Sequence, residues 1–210
     1  MPIVDVSAFR AIRGCNQGLL LTTYRVMGFK QAAILAPVSF FLGVLFICFN
    51  IDHRLLWGEI TEDIVTDGLQ FYTTFFNAPP AIKALLHGMV GVGLIGLLSK
   101  LHKWDESAVF FDGSSLAAYV LGIVVYLTVI VNSLRTVVDP IKDVDTREDQ
   151  VMAMRVLAAG NVMVIACLGL ILFLQAGQEW ARRTEAKAIA EWEAAQKKKA
   201  TEVTADKKEQ

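Results

Sequence analysis

Side chains that could carry catalytic, redox or metal chemistry are few in this sequence and lie far apart. The three cysteines have no CxxC spacing and two fall inside apolar stretches, which argues against a disulfide framework and a zinc site. The three histidines are isolated from one another, so they form no recognisable haem, copper or iron site. These six residues are Cys15, Cys48, Cys167, His53, His87 and His102. The sequence therefore predicts no catalytic residue, no metal site and no cofactor.

Polar residues within the apolar stretches are also scarce. No Asp or Glu lies centrally in any stretch, which weighs against a proton-coupled transporter, because such a protein needs an intramembrane carboxylate. Asn132 and Asn161 are expected to form hydrogen bonds between helices, each worth roughly 1 kcal/mol. Alternatively, their amides could serve unpaired polar groups on a helix of another protein. His87 is expected to hydrogen-bond a neighbour rather than to bind a redox centre.

Four long apolar stretches must position these residues. Of the 210 residues, 54% are hydrophobic and 20% are charged, and the mean hydropathy is +0.47. A membrane-spanning helix needs about 20 apolar residues, and residues 31–51, 81–99, 113–134 and 156–178 meet this length. Each must be helical, because hydrocarbon cannot satisfy free backbone N–H and C=O groups. The sequence predicts an all-α integral membrane four-helix bundle in contact with the lipid bilayer.

The segments that flank and join the spans are more polar than the membrane domain, residues 31–178. Residues 1–30 form an N-terminal segment, within which residues 1–26 could be an upstream extension, since Met27 is a natural start just before the first span. The acidic segment 52–67 is predicted to be a solvated, partly helical loop. A net charge of −1 gives no reason to expect nucleic-acid binding.

The distribution of Lys and Arg predicts the orientation in the membrane. The N-terminal segment, the second loop and the tail together hold fourteen of these residues, whereas the other side holds six. Because Lys and Arg accumulate on the cytosolic side, both termini are expected in the cytosol.

The tail, residues 179–210, is expected to begin as a helix and to end in disorder. Ala, Glu, Lys and Arg are good helix formers, so the fourth helix should continue to about Gln196. Residues 197–210 are highly charged and are predicted to be disordered. The chain ends in Lys207-Lys208-Glu209-Gln210, which resembles the dilysine signal that retrieves membrane proteins to the endoplasmic reticulum. A lysine-rich tail could also end in this way by chance.

Small residues recur at helical spacing in the spans, and this pattern lets helix backbones approach closely. Packing within the bundle would explain most of them, and docking of another protein's helices is the functional alternative. The second span is richer in glycine than a four-helix bundle requires. The small residues concerned are Gly88, Gly91, Gly93 and Gly96 in the second span, and Ser114, Ala118 and Gly122 in the third.

Blocks of residues in all four spans resemble the Shr-type secretory component family of fungi. The resemblance is strongest at residues 111–116 (FDGSSL), 119–122 (YVLG) and 126–128 (YLT). The further blocks are residues 39–46, 55–57, 78–80, 92–96, 147–149, 156–159, 174–177 and Trp180. Two positions depart from the family's pattern. Gly160 stands where members have Ser, and Val129 begins a stretch in which members have an earlier Asn than Asn132.

The resemblance implies a chaperone of the endoplasmic reticulum membrane and not an enzyme. Such proteins bind newly made amino-acid permeases of twelve spans, prevent their aggregation and assist their loading into coated transport vesicles. The tail is implied to contact vesicle coat components, and Lys207 and Lys208 to act in retrieval. Candidate client contacts are Gly88, Gly91, Gly93, Gly96, Ser114, Ala118, Gly122, Asn132 and Asn161. The alternative is a four-helix membrane oxidoreductase or oxygenase, which would need a His or carboxylate cluster that the sequence does not reveal.

Overall fold

The computed structural model describes residues 6–101, 106–142 and 144–206, and the side chains of residues 28–101, 109–142 and 144–196. It is 91% helical, and its described part contains no strand. The elements are α1 (Val6–Trp57), α2 (Glu62–Phe76), α3 (Pro80–Leu101), α4 (Glu106–Val125), a π-helical segment (Tyr126–Ile130), α5 (Val131–Val138) and α6 (Arg147–Asp206). The predicted retrieval signal, Lys207 and Lys208, lies outside the described residues.

Within the described residues, four helices are long and apolar enough to cross a membrane, which confirms the predicted fold class. They are Gly28–Trp57, Pro80–Leu101, Val109–Val138 and Arg147–Gln196. Each extends beyond its predicted apolar stretch, because the polar residues that flank the stretch continue the helix. α6 remains helical to Asp206, so the helical part of the tail is longer than predicted.

The four spans form a ring in which each helix packs against two others. α6 packs against α1 and α4, and α3 packs against the same two helices, so α3 and α6 face each other across the bundle. One buried core cluster surrounds Leu55 and Leu157, and a second surrounds Leu97 and Ile171. The two core clusters occupy opposite ends of the helix bundle.

Buried residues recur every three or four positions on the two helices that contribute most to the core. On α1 they include Ile34, Val38, Leu45, Cys48, Asp52 and Leu55, and on α6 Met154, Leu157, Asn161, Leu168, Ile171, Gln175 and Gln178. This is the spacing of helices packed side by side. Asp52, Asn161 and Gln175 therefore lie on the same buried seams as the apolar core.

The acidic segment that was predicted to be a loop is divided between two helices. Residues up to Trp57 belong to α1, and α2 begins at Glu62 with Thr61 as its N-cap, whose hydroxyl accepts a hydrogen bond from the Ile64 N–H. The segment is thus partly helical, as predicted, but it is not solvated throughout, because α2 also has a buried face, formed by Val65, Gly68 and Tyr72.

The third span changes its helical pitch at the π segment, where α6 approaches closely. A Cβ on residue 160 would lie 3.0 Å from Ile130 Cγ1 and 3.3 Å from Val129 Cγ1, so only a residue without a side chain fits this approach without adjustment. Gly160 and the stretch that begins at Val129, the two places where the sequence departs from the resemblance, thus meet in one contact.

Candidate functional site

A buried polar cluster joins α1, α2 and α6 at one end of the bundle. We refer to Asp52, Tyr72 and Asn161 as the Asp52 cluster. These residues are 0%, 2% and 4% exposed, respectively. The Tyr72 hydroxyl donates to Asp52 Oδ1, and the Asn161 amide donates to Asp52 Oδ2 at 2.9 Å and to the Tyr72 oxygen at 3.2 Å. Burial, with the nearby Asp52 carboxylate as the second cause, raises the pKa of the Tyr72 phenol. Tyr72 therefore remains a protonated donor.

The position of Asp52 corrects the sequence analysis, which placed it at the start of a solvated loop. Asp52 lies inside α1, where its carboxylate is fully buried. A signal for this was present, since Asp52 follows Leu45 by seven residues and Cys48 by four, and so continues the buried seam. Asn161 forms the hydrogen bond between helices that the sequence predicted.

A second buried cluster joins α3, α4 and α6 at the other end of the bundle. We refer to Lys100, Asp112, Ser115, Gln175 and Gln178 as the Asp112 cluster. Lys100 Nζ lies 2.9 Å from Asp112 Oδ1 and donates to Gln175 Oε1 at 2.6 Å and to Gln178 Oε1. The two glutamine amides in turn donate to Asp112, at 3.3 Å from Gln175 and 2.9 Å from Gln178, and Gln175 also donates to Ser115 Oγ at 3.0 Å.

This second cluster also corrects the predicted spans, which ended at residue 99 and began again at residue 113 and so left Lys100 and Asp112 outside the bundle. Both residues are helical, with exposures of 7% and 1%, and each is neutralised by the other. Lys100 is thus paired inside the bundle, although it is one of the fourteen Lys and Arg residues from which the orientation was predicted. Among the described residues, no buried side-chain N or O atom lacks a hydrogen-bond partner. The bundle has a polar, fully bonded interior at each end and an apolar interior between.

Five of the nine candidate client contacts lie inside the bundle. A Cβ on Gly96 would lie 3.1 Å from the Ala33 backbone of α1, and one on Gly93 would meet the ring of Tyr119 on α4. These two glycines therefore let α3 approach both of its neighbours. The buried five are Gly93, Gly96, Ala118, Gly122 and Asn161.

The remaining glycines of α3 face outward. Gly88 is exposed and Gly91 half-buried, and a Cβ at either position would have no atom within 4 Å. Gly88 shares its helix face with Leu85, Val92 and Ile95, which are 54%, 46% and 68% exposed. We refer to these four residues as the outer face of α3. Ser114, on α4, is half-buried.

Asn132 does not form the predicted hydrogen bond between helices. It is exposed on α5, and its amide donates to the Thr128 carbonyl one turn earlier, at 2.7 Å. The π segment explains this contact, because a widened turn alters the backbone pairing and leaves room for a side-chain donor. One amide N–H and the amide oxygen of Asn132 then point away from this bond.

His87 bonds its neighbours, as the sequence predicted. Its Nδ1 donates to the Lys83 carbonyl at 2.7 Å, which leaves Nε2 as the acceptor for the Tyr126 hydroxyl at 3.5 Å. In the part of the chain that the structure describes, no group of three His, Cys, Asp or Glu side chains is arranged to hold a metal ion.

A comparison with known families matches residues 25–210 to the SHR3 chaperone family model, described as ER membrane protein SH3. The match includes all four spans and both polar clusters, and it confirms the resemblance found in the sequence. No curated protein and no solved structure matches the chain.

Proposed function

The chain belongs to the SHR3 chaperone family of endoplasmic reticulum membrane proteins, and we propose that it binds newly made amino-acid permeases, prevents their aggregation and assists their packaging into coated transport vesicles. Both termini lie in the cytosol in this proposal, and α2 and the α5–α6 loop lie in the lumen. The membrane domain holds the client, while the helical tail contacts coat components.

The outer face of α3 is the observation that supports client binding best. It presents exposed apolar side chains around Gly88, where an added Cβ would lie in open space. Helices associate in lipid by close packing at small residues, because lipid is as apolar as the helices themselves. An outward glycine on a lipid-facing helix is therefore a suitable point of contact for a client helix.

The needs of an unassembled permease fit such a surface. Transporters have interrupted helices and polar residues near the bilayer midplane, and before assembly those groups face lipid at considerable cost. A helix that packs on the outer face of α3 is shielded on one side until its own neighbours replace the chaperone. The interior polar groups of the chaperone are already bonded to one another, so they do not compete for the client.

Asn132 adds a polar contact to the proposed client surface. Its exposed amide retains an oxygen and one N–H beyond the bond to Thr128. These atoms suit a polar group on an incompletely packed client helix. Asn161 and the buried glycines are assigned to the internal structure in this proposal, because their side chains or backbones contact the protein's own helices.

The experiment that tests this function uses cells that lack the native gene. Amino-acid uptake and permease location are measured after complementation with the native chain, with Gly88→Leu, and with the control Gly169→Leu, which fills an equally open, exposed position on α6. The native chain and the control should restore uptake, whereas Gly88→Leu should leave permeases in the endoplasmic reticulum. Normal permease traffic in cells without any copy of the gene would contradict the proposal.

The retrieval role of the last residues needs a separate test, with the carboxyl terminus left free. Lys207→Ser/Lys208→Ser should let part of the protein leave the endoplasmic reticulum, because the dilysine pattern is lost. The matched change Lys198→Ser/Lys199→Ser removes the same charge without altering the last four residues. An unchanged location of the first variant would contradict the retrieval role and leave the client role untouched.

A further inference from the structure

An apolar cavity of about 140 Å³ lies inside the bundle, next to the Asp52 cluster. All four spans and α2 contribute to its wall, which includes Val44, Tyr72, Val90, Gly122 and Cys167. The polar side chains at its inner end already bond one another, since Tyr72 and Asn161 are both bound to Asp52. Water in the cavity would therefore find few free partners.

The exposed residues of the cavity wall place its opening at the amino-terminal half of α3. Its exposed wall residues are His87 and Phe75, and Ile82, one helical turn before the wall residue Leu86, is also exposed. His87 is seven residues from the start of α3, or about 10 Å along the helix axis at 1.5 Å per residue. In a membrane, the mouth thus faces lipid near one boundary of the hydrocarbon core.

We propose that this cavity binds one hydrocarbon chain of a membrane lipid. Its volume is close to that of an apolar cavity of about 150 Å³ that remains dry and takes up benzene, so it accommodates a chain segment of similar size. The walls of an empty apolar cavity lack the dispersion contacts that an occupant would supply. In a membrane, the medium at the mouth consists of hydrocarbon chains, which can supply those contacts. In this proposal the exposed apolar side chain of Ile82 continues the wall outward along the rest of the lipid chain.

The position of the mouth favours a lipid chain over a client side chain as the occupant of the cavity. Lipid surrounds the protein at all times, whereas a client is present only during its assembly. The outer face of α3, where we place the client, includes Val92 and Ile95, which do not line the cavity. This inference is independent of the proposed function.

Photolabelling in vesicles tests the inference directly. The purified full chain is placed in dioleoyl phosphatidylcholine vesicles that contain a small fraction of the same lipid with a diazirine on one chain. After irradiation, mass spectrometry should find adducts on Val90 and Cys167 of the wall. Gly122→Val should reduce them by about tenfold, which corresponds to about 1.4 kcal/mol of binding free energy, because the added methyl groups occupy the space of the lipid chain.

Gly122 is suited to this test because a Cβ there would meet only Cys167 Cβ, at 3.9 Å, so added methyl groups extend into the cavity. Gly169→Val is the matched control, since it adds the same side chain at an exposed, open position and should leave wall labelling unchanged. If Gly122→Val does not fold, Ala118→Leu can replace it, since Ala118 also lines the cavity and the larger side chain would fill it. Adducts restricted to outward residues such as Ile95 and Phe173 would overturn the proposal. So would wall labelling by a photoactivatable transmembrane peptide but not by the lipid.

Discussion

Asn161 on α6 donates a hydrogen bond of 2.9 Å to Asp52 on α1, across 109 residues of sequence, and both side chains are buried. The bond joins the first span to the last, and Tyr72 extends it to α2. A polar residue on a packed helical seam can bond only in one alignment of the helices, so it selects that alignment. The Asp52 cluster therefore defines the register of three helices at one end of the bundle.

Removing either partner of this bond should destabilise the bundle. Asn161→Ala or Asp52→Ala leaves a buried polar group without its partner, at a cost of about 1–3 kcal/mol. The double variant should cost less than the sum of the two, because it removes both groups that need the bond. Unfolding of the purified chain by titration with denaturing detergent measures all three variants.

Asn50→Ala is the control for these variants, since Asn50 lies on α1 near Asp52 but is exposed. It should leave the unfolding midpoint close to that of the native chain. Strictly additive costs of the Asp52 and Asn161 substitutions would show that the two side chains do not interact.

The Lys100–Asp112 pair should be more sensitive to a single substitution. Lys100→Met leaves the Asp112 carboxylate buried without its cation, and loss of one partner of a buried pair costs about 3–5 kcal/mol. Adding Asp112→Asn removes the remaining charge but keeps an acceptor for the Gln178 amide, so it should recover much of the loss. The midpoint of thermal aggregation in detergent measures both variants.

Lys83→Met is the matched control for Lys100→Met on the same helix. Lys83 is exposed, with its Nζ 5.3 Å from the Phe76 ring centroid, and such an exposed cation–π contact is worth about 0.5–1 kcal/mol. A loss in Lys83→Met as large as in Lys100→Met would indicate that α3 tolerates no such change anywhere, and that the ion pair has no special role.

Hydropathy predicted the four spans because each requires a long apolar stretch, and this feature is local. The same criterion misplaced Asp52, Lys100 and Asp112, because charge was taken to mean exposure. Extending the periodicity of the apolar residues to the polar ones would have placed Asp52 and Gln175 on the buried seams. Their partners could not have been found in this way, since the bonds join helices far apart in sequence.

The direction in which each small residue faces could not be predicted from spacing. Gly88 and Gly96 both recur at helical intervals on α3, yet one is exposed and the other touches the α1 backbone. Small-residue spacing indicates that some backbone approaches closely, but the approaching backbone can belong to this chain or to a client. Only the packing of α1, α3 and α4 distinguishes the two.

Alanine substitutions should separate the two kinds of glycine on α3. Gly96→Ala places a Cβ 3.1 Å from the Ala33 backbone, and Gly93→Ala meets the Tyr119 ring, so each should cost about 1–3 kcal/mol through overpacking. Gly88→Ala and Gly91→Ala meet open space and should be neutral or stabilising by up to about 1 kcal/mol, since Ala favours the helix. Thermal stability in detergent measures all four. Equal losses in Gly88→Ala and Gly96→Ala would contradict the outward position of Gly88.

The orientation can be tested with single substitutions that create glycosylation sites, because the native sequence contains no Asn-x-Ser/Thr. Val144→Asn completes such a site with the native Asp145 and Thr146, in the loop between α5 and α6, where Val144 is 66% exposed. Asp105→Asn completes one with Glu106 and Ser107, in the sequence between α3 and the third span. Since glycans are added only in the lumen, Val144→Asn should yield a band that endoglycosidase H shifts, and Asp105→Asn should not.

The two variants also test how far the charge rule applies to this chain. Lys100 is paired with Asp112 inside the bundle, so the predicted cytosolic side retains its excess of Lys and Arg even without this residue. A glycan on Asp105→Asn alone would place both termini in the lumen and remove the tail from contact with coat components. Lys207 and Lys208 could not then act as a cytosolic retrieval signal. The buried clusters would be unaffected, because they depend on contacts between helices and not on the side from which the chain was inserted.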